Sequence, residues 1–586
     1  MQIKINNKPY NCESGETIFS ICKRNGIRLP TLCAHPDLLP SEGVCRMCLV
    51  ETNQSKGLVP SCVQKVSEGL EVRTETENVN KARKINLELL WADHAGKCAA
   101  CLRNGRCELQ KLAKEYDIDG FKFVPRRKEL KSENELDLLK DNWSHVVADE
   151  KNPCIARDSQ YCIECRRCVR ICREMQTVEA YGTNYRSSNT NVGTPYEIPL
   201  DCIFCGQCSA VCPTAAITEK DEIEKFEKAL ADPQKMVIVQ TAPSVRFTFL
   251  EEFGMPPGTF GEKKLVAALK ALGANKVFDT ILGADLTIVE EAAELIKRVK
   301  NKGVLPMFTS CCPSWVVYVE KYYPEFIPNL SSCKSPQQMM GALIKTHYAK
   351  KEKFDPKNIV SVSIMPCTSK KYEAARSEMK ASGRQDVDIV LTIRELARLI
   401  RKKKIDPIKL EDGKFDPALG ISTGAGMLFG SSGGVMEAAL RTAAEKITGE
   451  ELGRVDFEVV RGEEGIRCAE IEINDLKLRV AVVHEIRNAK KMLEDLKSGK
   501  AQYDFVEVMA CPNGCIGGGG QPVPTSPEIR SARIKGVIVR DKGMSIRKSH
   551  ENPVLKKIYK EFLGKPGGDK AEELLHTKYT NRKNIS

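Results

Sequence analysis

The run C-x2-C-x2-C-x3-C occurs twice in this chain, as Cys162, Cys165, Cys168 and Cys172 and again as Cys202, Cys205, Cys208 and Cys212. A double match of this kind does not arise by accident, and it commits the segment to folding around two iron–sulfur cubanes. Where two such runs share a chain, the fourth cysteine of each ligates the other cluster. Cys162, Cys165, Cys168 and Cys212 are therefore expected to hold one [4Fe–4S] cubane, and Cys202, Cys205, Cys208 and Cys172 the other. Pro213 follows Cys212 in the usual way, but Arg173 follows Cys172; that departure bears on a local turn and leaves the ligation intact. Cys154 stands outside both runs and takes no role.

Three more cysteine strings lie further along: Thr309-Ser310-Cys311-Cys312-Pro313, Met365-Pro366-Cys367-Thr368-Ser369-Lys370 and Ala510-Cys511-Pro512-Asn513-Gly514-Cys515. Each follows an apolar run that reads as a buried strand, at 304–308, 360–364 and 505–508. A fourth run, 237–239, ends at Ala242-Pro243-Ser244. Residues 221–231, 288–299 and 434–444 have helical periodicity, and strands alternating with helices predict a largely parallel α/β sheet. Ligands of such sheets gather at the carboxyl ends of the strands. Three loops meeting there can hold one cubane through four thiolates and leave one cysteine over. A helix beginning near Pro313 would turn its positive end toward that anion. The glycine-rich stretch 424–434 lacks dinucleotide-loop spacing and reads as close backbone packing.

The N-terminal region carries two further patterns. A hairpin-like stretch around Asn6-Asn7 and a helix from about Thr17 to Asn25 precede Cys33, Cys45, Cys48 and Cys62. This spacing differs from the plant-type pattern, yet a chain folded over itself can bring four thiolates to a [2Fe–2S] core; a four-cysteine zinc site is the alternative. Next comes His94-x3-Cys98-x2-Cys101-x5-Cys107, after an amphipathic helix with Ala82, Ile85 and Leu89 on one face. On the residues alone this set suits zinc or an iron–sulfur cluster equally. Of the seven histidines only His94 has ligand spacing. Cys12 and Cys22 read as small buried apolar residues, and Cys333 and Cys468 have no partners in spacing. The charged stretch 126–141 reads as a linker.

At 586 residues the chain should hold several domains. It has no stretch apolar enough to span a bilayer and no signal-type N-terminus, so a cytoplasmic location is expected. So many cysteines, twenty-five in that setting, point to metal ligation rather than disulfides. The formal charge of +12 treats every thiol as neutral. Deprotonated thiolates around five clusters remove about nine charges and leave roughly +3. The basic excess thus compensates buried anionic clusters and implies neither a nucleic-acid nor a membrane partner.

The three late strings resemble the signature motifs of [FeFe]-hydrogenases, and the front modules resemble the multi-cluster members of that family, so the likeness covers nearly the whole chain. It implies a multidomain α+β and α/β protein in which ferredoxin-type modules precede a two-lobed α/β catalytic domain. The implied divisions are 1–78 ([2Fe–2S]), 79–118 ([4Fe–4S] with one histidine and three cysteines), 145–225 (two [4Fe–4S]), 226–522 (catalytic) and 523–586 (a small-subunit-like segment). By motif position Cys312, Cys367, Cys511 and Cys515 hold a cubane, and Cys515 bridges to a diiron unit with CO, CN and dithiolate ligands. Cys311 then matches the proton-carrying thiol, with a relay onward through Glu291, Ser331 and Glu294. Without the family, two glutamates on one helical face would read as solvated. Lys370 and Ser244 match hydrogen-bond donors to the cyanides, and Pro243, Pro336, Gln337, Met365, Phe429 and Met509 match the pocket lining.

The implied reaction is H2 ⇌ 2H+ + 2e−, with electrons carried by four accessory clusters. Expected partners are ferredoxin, flavin- or NAD(P)-binding subunits of a hetero-oligomer, and hydrogenase maturation proteins. No flavin or nicotinamide fingerprint stands in the chain itself. Two other readings compete. A complex I-type electron-input subunit accounts for only the front third. A non-catalytic sensor or assembly factor would leave Cys311, Lys370 and the glutamate pair free to drift, and all are present.

Overall fold

Asn6 and Asn7 both take left-handed backbone, with φ of 48° and 66°. Asparagine tolerates that region, and two such residues close a tight hairpin with the twist of its strands. The hairpin opens a five-stranded sheet over Gln2–Ile5, Lys8–Asn11, Leu49–Thr52, Val59–Pro60 and Glu71–Arg73. Thr17 caps the helix Ile18–Arg24 through the amide of Ser20. Cys12 and Cys22 lie in the small core beneath, among Ile3, Ile5, Ile18 and Ile21. The computed structural model describes residues 1–583 except 95–97, 121, 124–147, 150, 185–189, 195–199, 452–455 and 474–475. The linker expected at 126–141 therefore lies outside the described residues.

The helix Glu77–His94 turns a different face inward from the one its apolar residues suggest. Ile85 and Leu89 are 41% and 47% exposed. Arg83, Leu87 and Glu88 are buried instead. Arg83 pairs with Glu75 and donates to the Leu49 carbonyl, while Glu88 pairs with Lys122. Partnered charges can occupy an inner face that unpaired ones cannot. In the double-run module, Cys172 sits within a π-helical turn, Ile171–Met175, so Arg173 simply continues the helix. The equivalent helix Gln207–Val211 stops just before Cys212, where Pro213 cannot extend it.

Among the described residues, the stretch 236–509 forms two four-stranded sheets rather than one. In the first, strands Lys276–Asp279, Met236–Thr241, Ile359–Met365 and Ile389–Thr392 run parallel in that order. In the second, Met307–Phe308, Phe505–Met509 and Leu476–His484 are parallel, and Ile466–Ile473 closes an antiparallel edge. The expected strand at 304–308 is reduced to Met307–Phe308, and Val304 is 48% exposed. Separate apolar cores fill around each sheet, one about Val239, Val362 and Leu391 and others about Val480, Val482 and Phe505.

The helix Ile281–Lys300 is buried through most of its length. Its Leu282, Leu286 and Val289 pack against Leu555, Ile558, Leu574 and Leu575 of the C-terminal segment, which therefore forms part of the same body. Among the described residues no helix is long and apolar enough to cross a membrane.

Candidate active site

Cys367 stands two residues beyond the strand Ile359–Met365 of the first sheet, while Cys312 and Cys511 follow Met307–Phe308 and Phe505–Met509 of the second. The carboxyl ends of both sheets thus face a common cavity, lined by Cys312, Cys367, Cys511 and Cys515 together with Cys311 and Lys370. Pro243, Ser244, Pro336 and Gln337 line it as well, as do Met365, Phe429 and Met509. Gly430 lets the backbone come close, since a Cβ there would lie 3.2 Å from that of Ser244. The helix Pro313–Tyr322 starts at the cavity with Cys312 as its cap residue and Pro313 in its first turn.

The donor set fits an iron–sulfur group. Burial first, and Cys367 next, push the thiols of Cys312, Cys511 and Cys515 above their ordinary range. Thiols gathered in this way are stabilised together by cations. The Ser244 hydroxyl is 1% exposed and has no hydrogen-bond partner, so it is free for an acceptor within the cavity. The Lys370 Nζ donates to the Cys311 carbonyl at 2.9 Å and lies 3.0 Å from Glu373 Oε2. Burial is the largest influence on this lysine and would lower its pKa, but Glu373, Cys367 and Cys311 together outweigh it and raise the value.

Glu373 has no place in the sequence reading, yet it accepts from Lys370, from Ser335 at 2.8 Å and from Gln337 at 3.1 Å. Its spacing three residues beyond Lys370 on the helix Ser369–Ala375 was the available signal.

Glu291 is not on a solvated face. It is fully buried, neither carboxylate oxygen has a hydrogen-bond partner, and burial followed by the Glu294 charge pushes its pKa up to about 8. Ser331 donates to Glu294 Oε2 at 2.9 Å, and Arg298 holds Glu294 Oε1 at 2.6 Å. The Cys311 thiol is raised by burial and then by Glu291.

The outer cysteines have other cysteines as close neighbours. Burial first, then Cys165, Cys162 and Cys212, raise the Cys168 thiol, and these four line one small cavity. Cys208 has Cys202 and Cys172 as its main charged neighbours after burial. Cys33 contacts Cys45 and Cys62, and Cys48 contacts Cys62. His94 is buried near Tyr161, and Cys107 has Cys101 and Cys212 close by. Cys154 is buried in a core with Ile155 and Ile171, and Cys468 is exposed beside Tyr503.

The innermost of these sets is bonded directly to the catalytic loops. Gln176 donates to the Ala510 carbonyl, Gln207 to that of Gly517 and Thr368 to that of Phe204. A Cβ on Gly519 would stand 2.3 Å from the Cys205 carbonyl oxygen, so only glycine permits that approach. From the other side, Arg530 of the helix Pro527–Lys542 pairs with Asp37 near Cys33 and donates to Asn513 beside Cys511.

Comparison with known proteins assigns these regions. Residues 235–519 match the C-terminal domain of the iron-only hydrogenase large subunit, and 527–582 match the iron hydrogenase small subunit. Residues 1–77 match a 2Fe-2S iron–sulfur cluster binding domain, and 83–120 the iron–sulfur binding region of NADH-ubiquinone oxidoreductase-G. Residues 152–218 match the ferredoxin-like domain of NADH-quinone oxidoreductase subunit 3. The chain is 41% identical to the NADP-reducing hydrogenase subunit HndD of Solidesulfovibrio fructosivorans over 100% of both chains. It is also 41% identical to iron hydrogenase 1 of Clostridium pasteurianum, over 98% of this chain and 99% of that one. The apo structure of a variant of [FeFe]-hydrogenase HydA1 from Chlamydomonas reinhardtii matches with a TM-score of 0.56 and 41% identity, covering 61% of this chain and 98% of that one.

Proposed function

The chain belongs to the iron-only, or [FeFe], hydrogenase family, and from that premise we propose which residues carry the interconversion of H2 with protons and electrons. It is an enzyme of that reaction, with [2Fe–2S] and [4Fe–4S] modules ahead of its catalytic domain. The residue assignment rests on one observation: Cys312, Cys367, Cys511 and Cys515 share a buried cavity with the unpartnered Ser244 hydroxyl and the Lys370 ammonium. Those four thiolates would hold a cubane there, with a diiron unit beside Cys515. When bound, that unit supplies the heterolytic splitting of H2.

The protein's part is orientation and proton access. Lys370, fixed by Glu373, and Ser244 present donors to the cyanide ligands. Cys311 is not a ligand in this assignment. It carries the proton between the cavity and Glu291, from which Ser331 and Glu294 lead outward. Glu291, held near neutral pH, is suited to give and take a proton at ordinary pH.

Electrons travel along four accessory clusters: one [2Fe–2S] on Cys33, Cys45, Cys48 and Cys62, one [4Fe–4S] on His94, Cys98, Cys101 and Cys107, and two in the double run. The hydrogen bonds from Gln176 and Gln207 to the catalytic loops support the double run as the last station. The external donor or acceptor is a ferredoxin or a flavin- and NAD(P)-binding subunit of a cytoplasmic hetero-oligomer. The likeness to an NADP-reducing hydrogenase subunit along the full chain supports that reading.

The test is the matured enzyme. Infrared bands of CO and CN− on iron, with H2 uptake and release, are expected; an enzyme with full iron content lacking both refutes the assignment. Activity with ferredoxin, NADH and NADPH, singly and together, identifies the electron partner.

A further inference from the structure

Cys333, without any partner in sequence, is fully buried beside Glu294 and His576. Its Sγ lies 3.8 Å from Glu294 Oε2 and 3.9 Å from His576 Nδ1. We propose that Cys333, His576 and Glu294 form a binding site for a divalent ion of the zinc type, built across the joint between the catalytic domain and the C-terminal segment. Metal–ligand bonds of 2.0–2.3 Å in a tetrahedron place sulfur and its nitrogen or oxygen neighbours about 3.5 Å apart, so these spacings need adjust by only a few tenths of an ångström. Thiolate, imidazole and carboxylate together suit zinc rather than magnesium or calcium. Water completes the fourth position.

The surroundings prepare each ligand. His576 Nε2 lies 3.1 Å from Glu290 Oε2, and Glu290 is itself fixed by the Tyr559 hydroxyl and the Gly567 amide. A carboxylate behind an imidazole sets its tautomer and leaves the other nitrogen's lone pair for a metal. Arg298 occupies Glu294 Oε1, which turns Oε2 toward Ser331, Ser332 and Cys333. A backbone bridge joins Cys333 to His576, and bonds from Lys334 N to Leu575 O and from Thr577 N to Ser332 O fix its register. The side chains of Glu294 and His576 remain 14% and 11% exposed, which gives an ion a way in. Binding replaces the thiol proton with the metal and releases that proton to solvent. The Ser332 hydroxyl lies 2.8 Å from His576 Nδ1 and 3.1 Å from Glu294 Oε2 and must give up these bonds. The second cluster of potential ligands, Glu445, His550 and Glu551, differs: Lys548 already pairs with both carboxylates.

Because Glu294 is the outer member of the proposed proton relay, an ion on its Oε2 stops turnover; this consequence rests on the relay reading, whereas the site does not. The test adds ZnCl2 alone to anaerobic, matured enzyme and reads two signals. Diffraction at the zinc edge should show one ion between the three side chains. Hydrogen oxidation should fall at least tenfold at micromolar zinc and return with EDTA. His576→Gln and Cys333→Ala, each with metal-free turnover unchanged, should lose the zinc peak and require about 100-fold more zinc for the same inhibition. No zinc between these residues in the parent, or a zinc peak that persists in both variants, overturns the proposal. Zinc seated there with turnover intact upholds the site and removes Glu294 from the relay.

Discussion

Replacing Glu291 with glutamine removes a buried acid while keeping its shape. Burial and the Glu294 charge move this carboxyl from its ordinary 4.5 to about 8. At 1.36 kcal/mol per pH unit, the fold therefore favours the neutral carboxyl over the ionised one by about 5 kcal/mol, an upper figure because local rearrangement relieves part of the cost. The sign follows from proton counting. An acid whose folded pKa is raised contributes stability in full below pH 4.5, and that stability is lost as pH climbs through 8. Glutamine has no such dependence.

The stability of Glu291→Gln relative to the parent should thus grow from pH 5 to pH 9 by about 2–4 kcal/mol. Anaerobic urea titrations followed by circular dichroism at several pH values measure this difference. Over the same range the variant's hydrogen evolution should fall at least 100-fold, since an amide does not take and release a proton in the needed range. A stability difference that stays flat with pH refutes the buried-acid argument, and normal turnover refutes the relay.

Three further outcomes are expected. Cys311→Ala should keep its full iron content and infrared bands while losing about 10²- to 10⁴-fold in hydrogen evolution, as expected for removal of a general acid–base group; iron analysis and gas chromatography check both halves. Gly519→Ala forces a methyl against the Cys205 carbonyl, so dye-driven hydrogen evolution should drop while H2/D+ exchange, which needs no external electrons, persists. Arg530→Ala leaves Asp37 buried without its partner, a change costing about 3–5 kcal/mol, and the N-terminal module should then become readily cleaved in limited proteolysis.

The iron–sulfur modules were legible because cluster geometry demands short, local cysteine spacing that composition cannot imitate. The strand-then-cysteine layout likewise conveyed an α/β catalytic domain. What periodicity could not convey was which strands pair. The runs ending at Cys367 and at Cys511 look alike, yet they belong to different sheets. The inner face of the helix Glu77–His94 was hidden for a related reason: Arg83 and Glu88 are buried through partners distant in sequence, Leu49 and Lys122. Glu291 on its own residues resembles a solvated position, and it is buried because its helix neighbours Ile288 and Leu295 pack against Val435, Met436 and Phe505, far along the chain. Glu373 and the grouping of Cys333 with His576 depend equally on chain folding, which brings together residues as much as 243 positions apart.

In the proposed assignment the catalytic cubane draws its thiolates from two sheets that, among the described residues, share no strand pairing with each other. Iron at that point would act as a rivet between these two halves. Before metallation those halves should breathe more freely, and this slackness gives a bulky inorganic group a door that shuts behind it. Cluster insertion and the tightening of the fold then become a single event, so the order of assembly is written into the architecture.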